Sequence, residues 1–167
     1  MKHNKFLTLF IVFVMAASFV TPALADSNVN SQLSQVRRAT AMYHNLQFAM
    51  AAGYNLVPGL DYCFADPGVG GMGYHYINTA LMDTTVDALN PEALVYAPTN
   101  NGGYQLVAVE YIVPAAAWDA EYSQPPVLFG QTFELNDALG VYTLHAWIWL
   151  NNSLGMFSDW NPKVSCN

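Results

Sequence analysis

The stretch Leu106–Val113 constrains this chain more than any other, because it is an apolar run of eight residues with one carboxylate, Glu110, near its centre. Apolar residues occupy both alternating faces of the run, which is typical of a β-strand that is covered on both sides. Glu110 is therefore expected to be buried. An ionised carboxylate out of water costs several kcal/mol unless it is paired, hydrogen-bonded or protonated. Its partners should come from other buried strands.

Two histidines occupy comparable positions in other predicted strands. His75 lies within residues 72–78 and His145 within residues 142–150, each among apolar neighbours. If these strands face one interior, the two imidazoles can converge on Glu110. Two imidazoles and one carboxylate suit Zn, or Fe, Mn and Cu where open positions remain. The sequence predicts a metal site at His75, Glu110 and His145 but does not choose among these metals.

The same residues leave other interpretations open. Glu110 could bond the histidines or tyrosine hydroxyls in a metal-free polar cluster that binds a small ligand. It could also pair with Arg37 in a purely structural contact. Glu110 and His145 could act as general base and acid of an enzyme. Three aromatic residues beside the histidines are candidates for ligand-lining groups: Tyr74, Tyr76 and Trp147.

The N-terminus has the pattern of a secretory signal peptide. A basic segment, residues 1–5, precedes an apolar core at 6–20 and a small-x-small cleavage site, Ala23-Leu24-Ala25. We predict a signal peptide at 1–25 and a mature chain at 26–167, exported to the periplasm or the extracellular space. The apolar core is short for a membrane-spanning helix, which needs roughly 20 residues. No stable membrane insertion is expected after cleavage.

The mature chain is strongly acidic. It keeps three of the five Lys and Arg residues against all twelve Asp and Glu residues, a net charge of −9. This charge repels phosphate backbones and argues against nucleic acid as a partner. The expected partner is a metal ion or a small molecule, and the sequence does not give the oligomeric state.

Cys63 and Cys166 are the only two cysteines of the chain. In an exported protein such a pair is predicted to form a disulfide bond. The alternatives are metal-ligand thiolates and two free thiols. A disulfide here would close a loop of about 100 residues, for which the chain-entropy estimate is roughly 4–5 kcal/mol of stability.

Hydrophobic periodicity predicts one helix over residues 31–52, followed by turns and short strands. Asn100-Asn101-Gly102-Gly103 indicates a hairpin between two strands. The glycine-rich stretch at 68–73 lacks the strand–turn–helix context of a phosphate-binding loop and is expected to allow close backbone approach or a bulge. The strands do not alternate with helices. We predict a single α+β domain at 26–167, in which an N-terminal helix packs on a curved antiparallel sheet or partial β-barrel with one disulfide.

Short motifs along the mature chain resemble a family of exported bacterial domains of uncharacterised function. The motifs are MAAGY at 50–54, GMGYHYIN at 71–78, PEALVY at 91–96, VEYIVP at 109–114, FGQ at 129–131, LHAWIW at 144–149 and WNPKVSC at 160–166. The resemblance implies a common fold and export, but no activity. The chain departs from the family at Asn152-Ser153-Leu154-Gly155, where the family has Asn-Pro-x-Gly.

The function predicted from these observations is binding of a metal ion or small ligand by the two-histidine, one-carboxylate cluster inside the sheet. One alternative is a metal-dependent or acid–base enzyme of the cell envelope. The other is a disulfide-stapled structural or interaction module without a ligand.

Overall fold

The computed structural model describes residues 22–166, with side chains from residue 28 onward. Apart from residues 22–25, the predicted signal peptide lies outside the described residues. The elements follow in chain order: α1 Pro22–Thr40, α2 Leu46–Ala51, β1 Phe64–Asp66, β2 Gly70–Ile77, β3 Ala93–Pro98, β4 Tyr104–Pro114, α3 Ala115–Glu121, β5 Val127–Leu128, β6 Gln131–Thr132, β7 Glu134–Asn136 and β8 Val141–Ala146. Two short 3-10 helices cover Ala41–His44 and Thr79–Leu81.

Six of the strands form one antiparallel sheet in the order β1-β2-β3-β4-β8-β7, strongly curled into a half-barrel. Strands β5 and β6 form a separate two-stranded ribbon. The predicted fold class, a helix packed on a curved antiparallel sheet, is confirmed. Among residues 22–166, no helix combines the length and the apolar composition needed to cross a membrane.

The single helix predicted over residues 31–52 is two helices in the structure. A 3-10 turn and Asn45 separate α1 from α2, and the Asn45 side chain caps the start of α2 by accepting a backbone hydrogen bond of 3.0 Å. The apolar periodicity continues across this break because both segments pack on the same core, α1 through Val36 and α2 through Ala49.

The two faces of the sheet are covered by different layers. One face packs against the helices in the main core, to which the sheet contributes Leu94, Val109 and Tyr111. The opposite face contains a smaller apolar cluster with Ile77 and Ile112. Because β4 meets both layers, its residues 106–113 are buried without interruption. The prediction of a strand covered on both sides is confirmed.

The last predicted strand is shorter than the apolar pattern suggested. It was expected over residues 142–150, but β8 ends at Ala146. Beyond this point the backbone leaves the ladder: the Trp147 N–H donates to the Met156 carbonyl, and the Trp149 N–H donates to the Val107 carbonyl. Trp147 and Ile148 are therefore buried in a folded tail rather than in a strand.

The tail returns to the first strands of the sheet. Gly71 and Asn161 form an isolated antiparallel bridge with backbone hydrogen bonds of 3.2 and 3.0 Å. The predicted disulfide is confirmed: Cys63 and Cys166 are bonded, with 5.6 Å between their Cα atoms and a sequence separation of 103. The disulfide and the bridge together hold the C-terminal tail beside β1 and β2.

Candidate metal centre

The three residues predicted as metal ligands meet on one face of the sheet. His75 Nε2 lies 3.4 Å from Glu110 Oε2 and 3.2 Å from His145 Nε2, and His145 Nδ1 lies 3.5 Å from Glu110 Oε1. The residues are 6%, 7% and 2% exposed, respectively. One potential ligand atom from each residue lies within 4.8 Å of the others. This buried cluster could hold a metal ion.

Strand order and curl bring the three side chains together. Glu110 on β4 lies directly opposite His145 on the adjacent β8. His75 comes from β2, which is separated from β4 by β3. On β3, Glu110 is paired with Ala93 and His75 is paired with Val95, so the two side chains meet diagonally across this strand. The curl of the sheet shortens the remaining distance.

The spacing of the potential ligand atoms suits tetrahedral coordination. With Zn–N bonds of about 2.0–2.1 Å, neighbouring ligand atoms of a tetrahedron lie about 3.3 Å apart. His75 Nε2 is 3.2 Å from His145 Nε2 and 3.4 Å from Glu110 Oε2. Two edges of such a tetrahedron therefore exist without movement of the strands. Three protein ligands leave a fourth position for water or another molecule.

The pKa values of all three groups are shifted from their ordinary values. Burial, with a smaller contribution from His145, lowers the pKa of His75 to about 3, so this imidazole is neutral and able to bind a metal at physiological pH. Burial raises the pKa of Glu110, although His145 acts in the opposite direction. Burial alone would lower the pKa of His145, but the carboxylates of Glu110 and Asp159 outweigh it and raise this pKa.

The hydrogen bonding of the cluster is incomplete within the described part of the chain. The two facing Nε2 atoms share one hydrogen bond, in which one ring donates and the other accepts. His75 Nδ1 and His145 Nδ1 are buried and have no hydrogen-bond partner. A buried polar group left unpaired costs about 1–3 kcal/mol. His75 Nε2, His145 Nε2 and the Glu110 carboxylate are the groups that face one another, and these three groups could hold a cation.

Asp159 is a fourth polar group at this site that the sequence analysis did not identify. Its Oδ1 lies 3.6 Å from His145 Nδ1, and its side chain is 41% exposed. A carboxylate beside the second nitrogen of a metal-binding histidine fixes the tautomer and orientation of the ring. Asp159 belongs to the turn-rich tail, where no strand alternation marks its orientation. Only the return of the tail to β1 and β2 places it here.

The cluster lines a cavity of about 610 Å³. Most of the wall is apolar and comes from the segment before β1, from β4 and from the β7–β8 region, for example Val57, Leu60, Ile112, Leu139 and Val141. The charged residues that line the cavity, apart from the histidines, are acidic: Glu110, Glu134, Asp137 and Asp159. The cluster is therefore reached through an apolar space with carboxylates around it.

The three predicted ligand-lining aromatic residues do not line this cavity. Tyr74 and Tyr76 alternate with His75 along β2 and point to the helix-covered face, where the rings of Tyr76 and Tyr96 are 5.2 Å apart. Trp147 stacks beside His145 with ring centroids 6.1 Å apart and an interplanar angle of 17°. Trp147 is therefore nearly parallel to His145 but belongs to an apolar cluster with Val107 and Ala108. The strand period of two excludes Tyr74 and Tyr76 from the His75 face.

The proposed pairing of Glu110 with Arg37 is wrong. The Arg37 Nε donates a hydrogen bond of 2.8 Å to the carbonyl of Ile148. Arg37 lies on α1, which packs on the face of the sheet opposite to the cluster. The partners of Glu110 are the two histidines.

Comparison with known proteins does not add to this picture. The chain matches no family model, and no curated protein or solved structure matches it. The resemblance of its motifs to exported bacterial domains stays a prediction.

Proposed function

We propose that this protein is exported and binds one divalent transition metal ion through His75, Glu110 and His145. The observation that supports the proposal is the convergence of two neutral-capable imidazoles and a carboxylate, all buried, with ligand atoms within 4.8 Å of one another. A cation among these atoms would compensate the buried charge of Glu110 and use the lone pairs of the histidines.

Export is part of the same proposal. The signal-peptide pattern at residues 1–25 supports it. The disulfide between Cys63 and Cys166 supports it as well, because such bonds form and persist in oxidising compartments. We also keep the proposal that the chain is a member of the exported bacterial domain family whose motifs it resembles.

The donor set restricts the metal. Two imidazole nitrogens and one carboxylate oxygen suit Zn, Fe, Mn or Cu, whereas Mg and Ca prefer sites made of oxygen ligands. The tetrahedral spacing between the ligand atoms makes Zn²⁺ the first ion to test. A metal-free polar cluster is the alternative, in which Glu110 is paired only with the two histidines, at 3.4 and 3.5 Å.

One observation favours a metal-dependent enzyme of the cell envelope as a second candidate function. The cavity of about 610 Å³ lies beside the cluster and provides room for a substrate at an open coordination position. Catalytic metal sites keep such a position, whereas structural zinc sites are closed by four protein ligands. The purely structural module is the function that would remain if no metal binds.

The test is the metal affinity of the mature chain and of two matched variants. Wild type is expected to bind one equivalent of Zn²⁺, measured by calorimetry and by elemental analysis after dialysis. Glu110→Gln removes the only anionic ligand with little change in shape, so its affinity is expected to fall at least 100-fold.

Glu92→Gln is the control for this experiment. Glu92 is also a buried glutamate, at 3% exposure, but it does not line the cavity and its Oε2 accepts a hydrogen bond from the Ile112 N–H. This variant should bind Zn²⁺ as wild type does. Negligible binding by wild type, or equal binding by wild type and Glu110→Gln, contradicts the metal site.

A further inference from the structure

We infer that the cavity beside the metal cluster binds a small apolar molecule that is uncharged or cationic and offers a neutral nitrogen or oxygen donor to the metal. The inference rests on the proposed function for the metal contact, and it adds the chemical class of the ligand. Three features of the cavity support it: its size and walls, the sign of its charges, and the position of the cluster.

The size and the walls fit an organic molecule. A volume of about 610 Å³ lies within the range of about 300–1,000 Å³ that is typical of small-molecule sites. Side chains such as Leu60, Met82 and Ile112 line it, and Phe64 contributes an aromatic ring. A hydrated ion or a sugar would leave these side chains exposed to water. A molecule with a hydrocarbon or aromatic body would cover them.

The charges around the cavity disfavour anionic ligands. Glu134, Asp137 and Asp159 line it in addition to Glu110, and its described lining residues include no Lys or Arg. A divalent metal bound to Glu110 would leave one positive charge against the other three carboxylates. A carboxylate or phosphate ligand would therefore still meet a net negative surrounding, whereas a neutral molecule would not be repelled.

The position of the cluster defines the polar end of the ligand. His75, Glu110 and His145 line the same cavity as the apolar side chains, so a metal held there would present its open position to the cavity. Because the site already has an anionic ligand and Asp159 nearby, a neutral donor atom is the expected fourth ligand. Imidazoles, alcohols and amines with apolar bodies have this combination.

Three probes test the inference on the Zn²⁺-loaded mature protein by calorimetry. Imidazole is a neutral donor without an apolar body, 4-phenylimidazole adds a phenyl ring, and 3-phenylpropionate carries the ring on an anionic donor. 4-Phenylimidazole is expected to bind at least 10-fold more tightly than each of the other two. Equal affinities of imidazole and 4-phenylimidazole, or tighter binding of 3-phenylpropionate, would overturn the inference.

Two leucines of equal exposure provide matched variants for the wall. Leu139 lines the cavity and Leu154 does not, and both are 50% exposed, so neither substitution removes a buried core residue. Leu139→Asn should lower the affinity for 4-phenylimidazole about 5-fold and leave the affinity for imidazole unchanged, because only the phenyl ring contacts the wall. Leu154→Asn should change the affinity for neither probe. Identical effects of the two variants count against binding in this cavity.

Two acidic residues provide matched variants for the charge. Asp137→Lys changes the charge at the cavity, and Glu121→Lys makes the same change on α3, away from it. Asp137→Lys should strengthen 3-phenylpropionate binding at least 3-fold relative to wild type, and Glu121→Lys should not. The charge argument is wrong if both variants give the same affinity.

Failure of this inference and failure of the metal proposal give different results. If Zn²⁺ binds but 4-phenylimidazole binds no more tightly than imidazole, the metal proposal is retained and the inferred ligand class is wrong. If Zn²⁺ does not bind, the metal proposal fails, and so does the donor part of the inference. The metal-free protein titrated with 4-phenylimidazole by NMR then tests the apolar part. Chemical-shift changes at cavity residues that become smaller in Leu139→Asn would support binding of an apolar molecule in the cavity. Absence of such changes would overturn the apolar part of the inference.

Discussion

At the scale of single residues, the site is defined by one buried carboxylate and the groups that surround it. Glu110 is 7% exposed and meets His75 and His145 at 3.4 and 3.5 Å. His145 in turn has a second carboxylate, Asp159, 3.6 Å from its Nδ1. If His145 binds the metal through Nε2, this carboxylate faces its other nitrogen. Asp159 is then a positioning residue for the ring.

This arrangement gives a prediction for Asp159→Asn. The variant keeps the size of the side chain but loses the charge that favours a proton on His145 Nδ1. The Zn²⁺ affinity of the mature chain should fall about 10-fold, the lower end of the effect expected for groups behind metal ligands. Competition with a coloured chelator measures it. The melting temperature of the metal-free protein should change little, because Asp159 is partly exposed.

Asp137→Asn is the control for this prediction. Asp137 lines the same cavity, so its substitution removes an equal charge, but it is not paired with any of the three ligand residues. It should weaken Zn²⁺ binding by less than 3-fold. Equal losses in the two variants would mean that Asp159 acts only through the general negative potential of the cavity.

At the scale of elements, β2 is the strand with the most unusual backbone. Gly73 has φ = 116°, and a Cβ atom placed there would lie 2.5 Å from the Tyr96 carbonyl oxygen of β3. A glycine is needed at this position both for its conformation and for the close approach of β3. The close backbone approach predicted for the glycine-rich stretch at 68–73 is therefore confirmed. Its consequence is that His75, two residues later, is positioned by a tightly packed strand pair.

Gly73→Ala should therefore be strongly destabilising. The positive φ alone costs about 1–2 kcal/mol for an L-residue, and the clash with the β3 backbone adds to it. We expect a total loss above about 3 kcal/mol in the free energy of unfolding, measured by urea denaturation.

Gly102→Ala is the matched control for Gly73→Ala. Gly102 also has positive φ, 78°, in the β3–β4 hairpin, but a Cβ atom there would meet nothing within 4 Å. The free energy of unfolding of Gly102→Ala should fall only by the cost of the positive φ, about 1 kcal/mol. Similar losses in both variants would show that the approach of β3 is not what requires glycine in β2.

At the scale of the whole molecule, stability depends on a second buried carboxylate outside the cluster of His75, Glu110 and His145. Glu92 is 3% exposed, and its Oε2 accepts a 2.9 Å hydrogen bond from the Ile112 N–H of β4. Burial raises its pKa to about 7 from 4.5, against the effect of this hydrogen bond. The folded state therefore binds the Glu92 proton more tightly than the unfolded state does.

The sign of the pH dependence follows from this shift. The contribution of Glu92 to stability is complete below pH 4.5, is lost as the pH rises towards 7, and is constant above it. A shift of this size corresponds to about 3 kcal/mol. Glu92→Gln cannot ionise, so the variant should gain about 3 kcal/mol relative to wild type between pH 4.5 and pH 8.

Urea denaturation of the metal-free mature chain at both pH values measures this difference. Other titrating groups, including Glu110 and the two histidines beside it, are present in both proteins, so their contribution cancels in the comparison. Parallel pH profiles of the two proteins would contradict the assignment to Glu92.

The long-range contacts of the molecule set the limit of what the sequence could predict. The apolar residues on both faces of β4 correctly predicted that Glu110 is buried, and the apolar neighbours of His75 and His145 predicted that these side chains lie in the interior, because burial follows from the local composition of a strand. The sequence was enough to predict the disulfide, because two cysteines allow a single pairing. Hydrophobic periodicity did not predict the break before α2 at Asn45 or the end of β8 at Ala146. At both places apolar residues continue to pack in the core although the regular element ends.

The sequence by itself determined which residues would be buried and which chemical groups they would bring, since these follow from side-chain type and strand period. Only the tertiary structure decided that β3 lies between β2 and β4, that the curl still lets His75 reach Glu110, and that the tail brings Asp159 to His145. The cavity likewise combines segments from residues 57 to 160. Strand order, curl and the path of the tail arise from packing among distant residues, which no local pattern encodes.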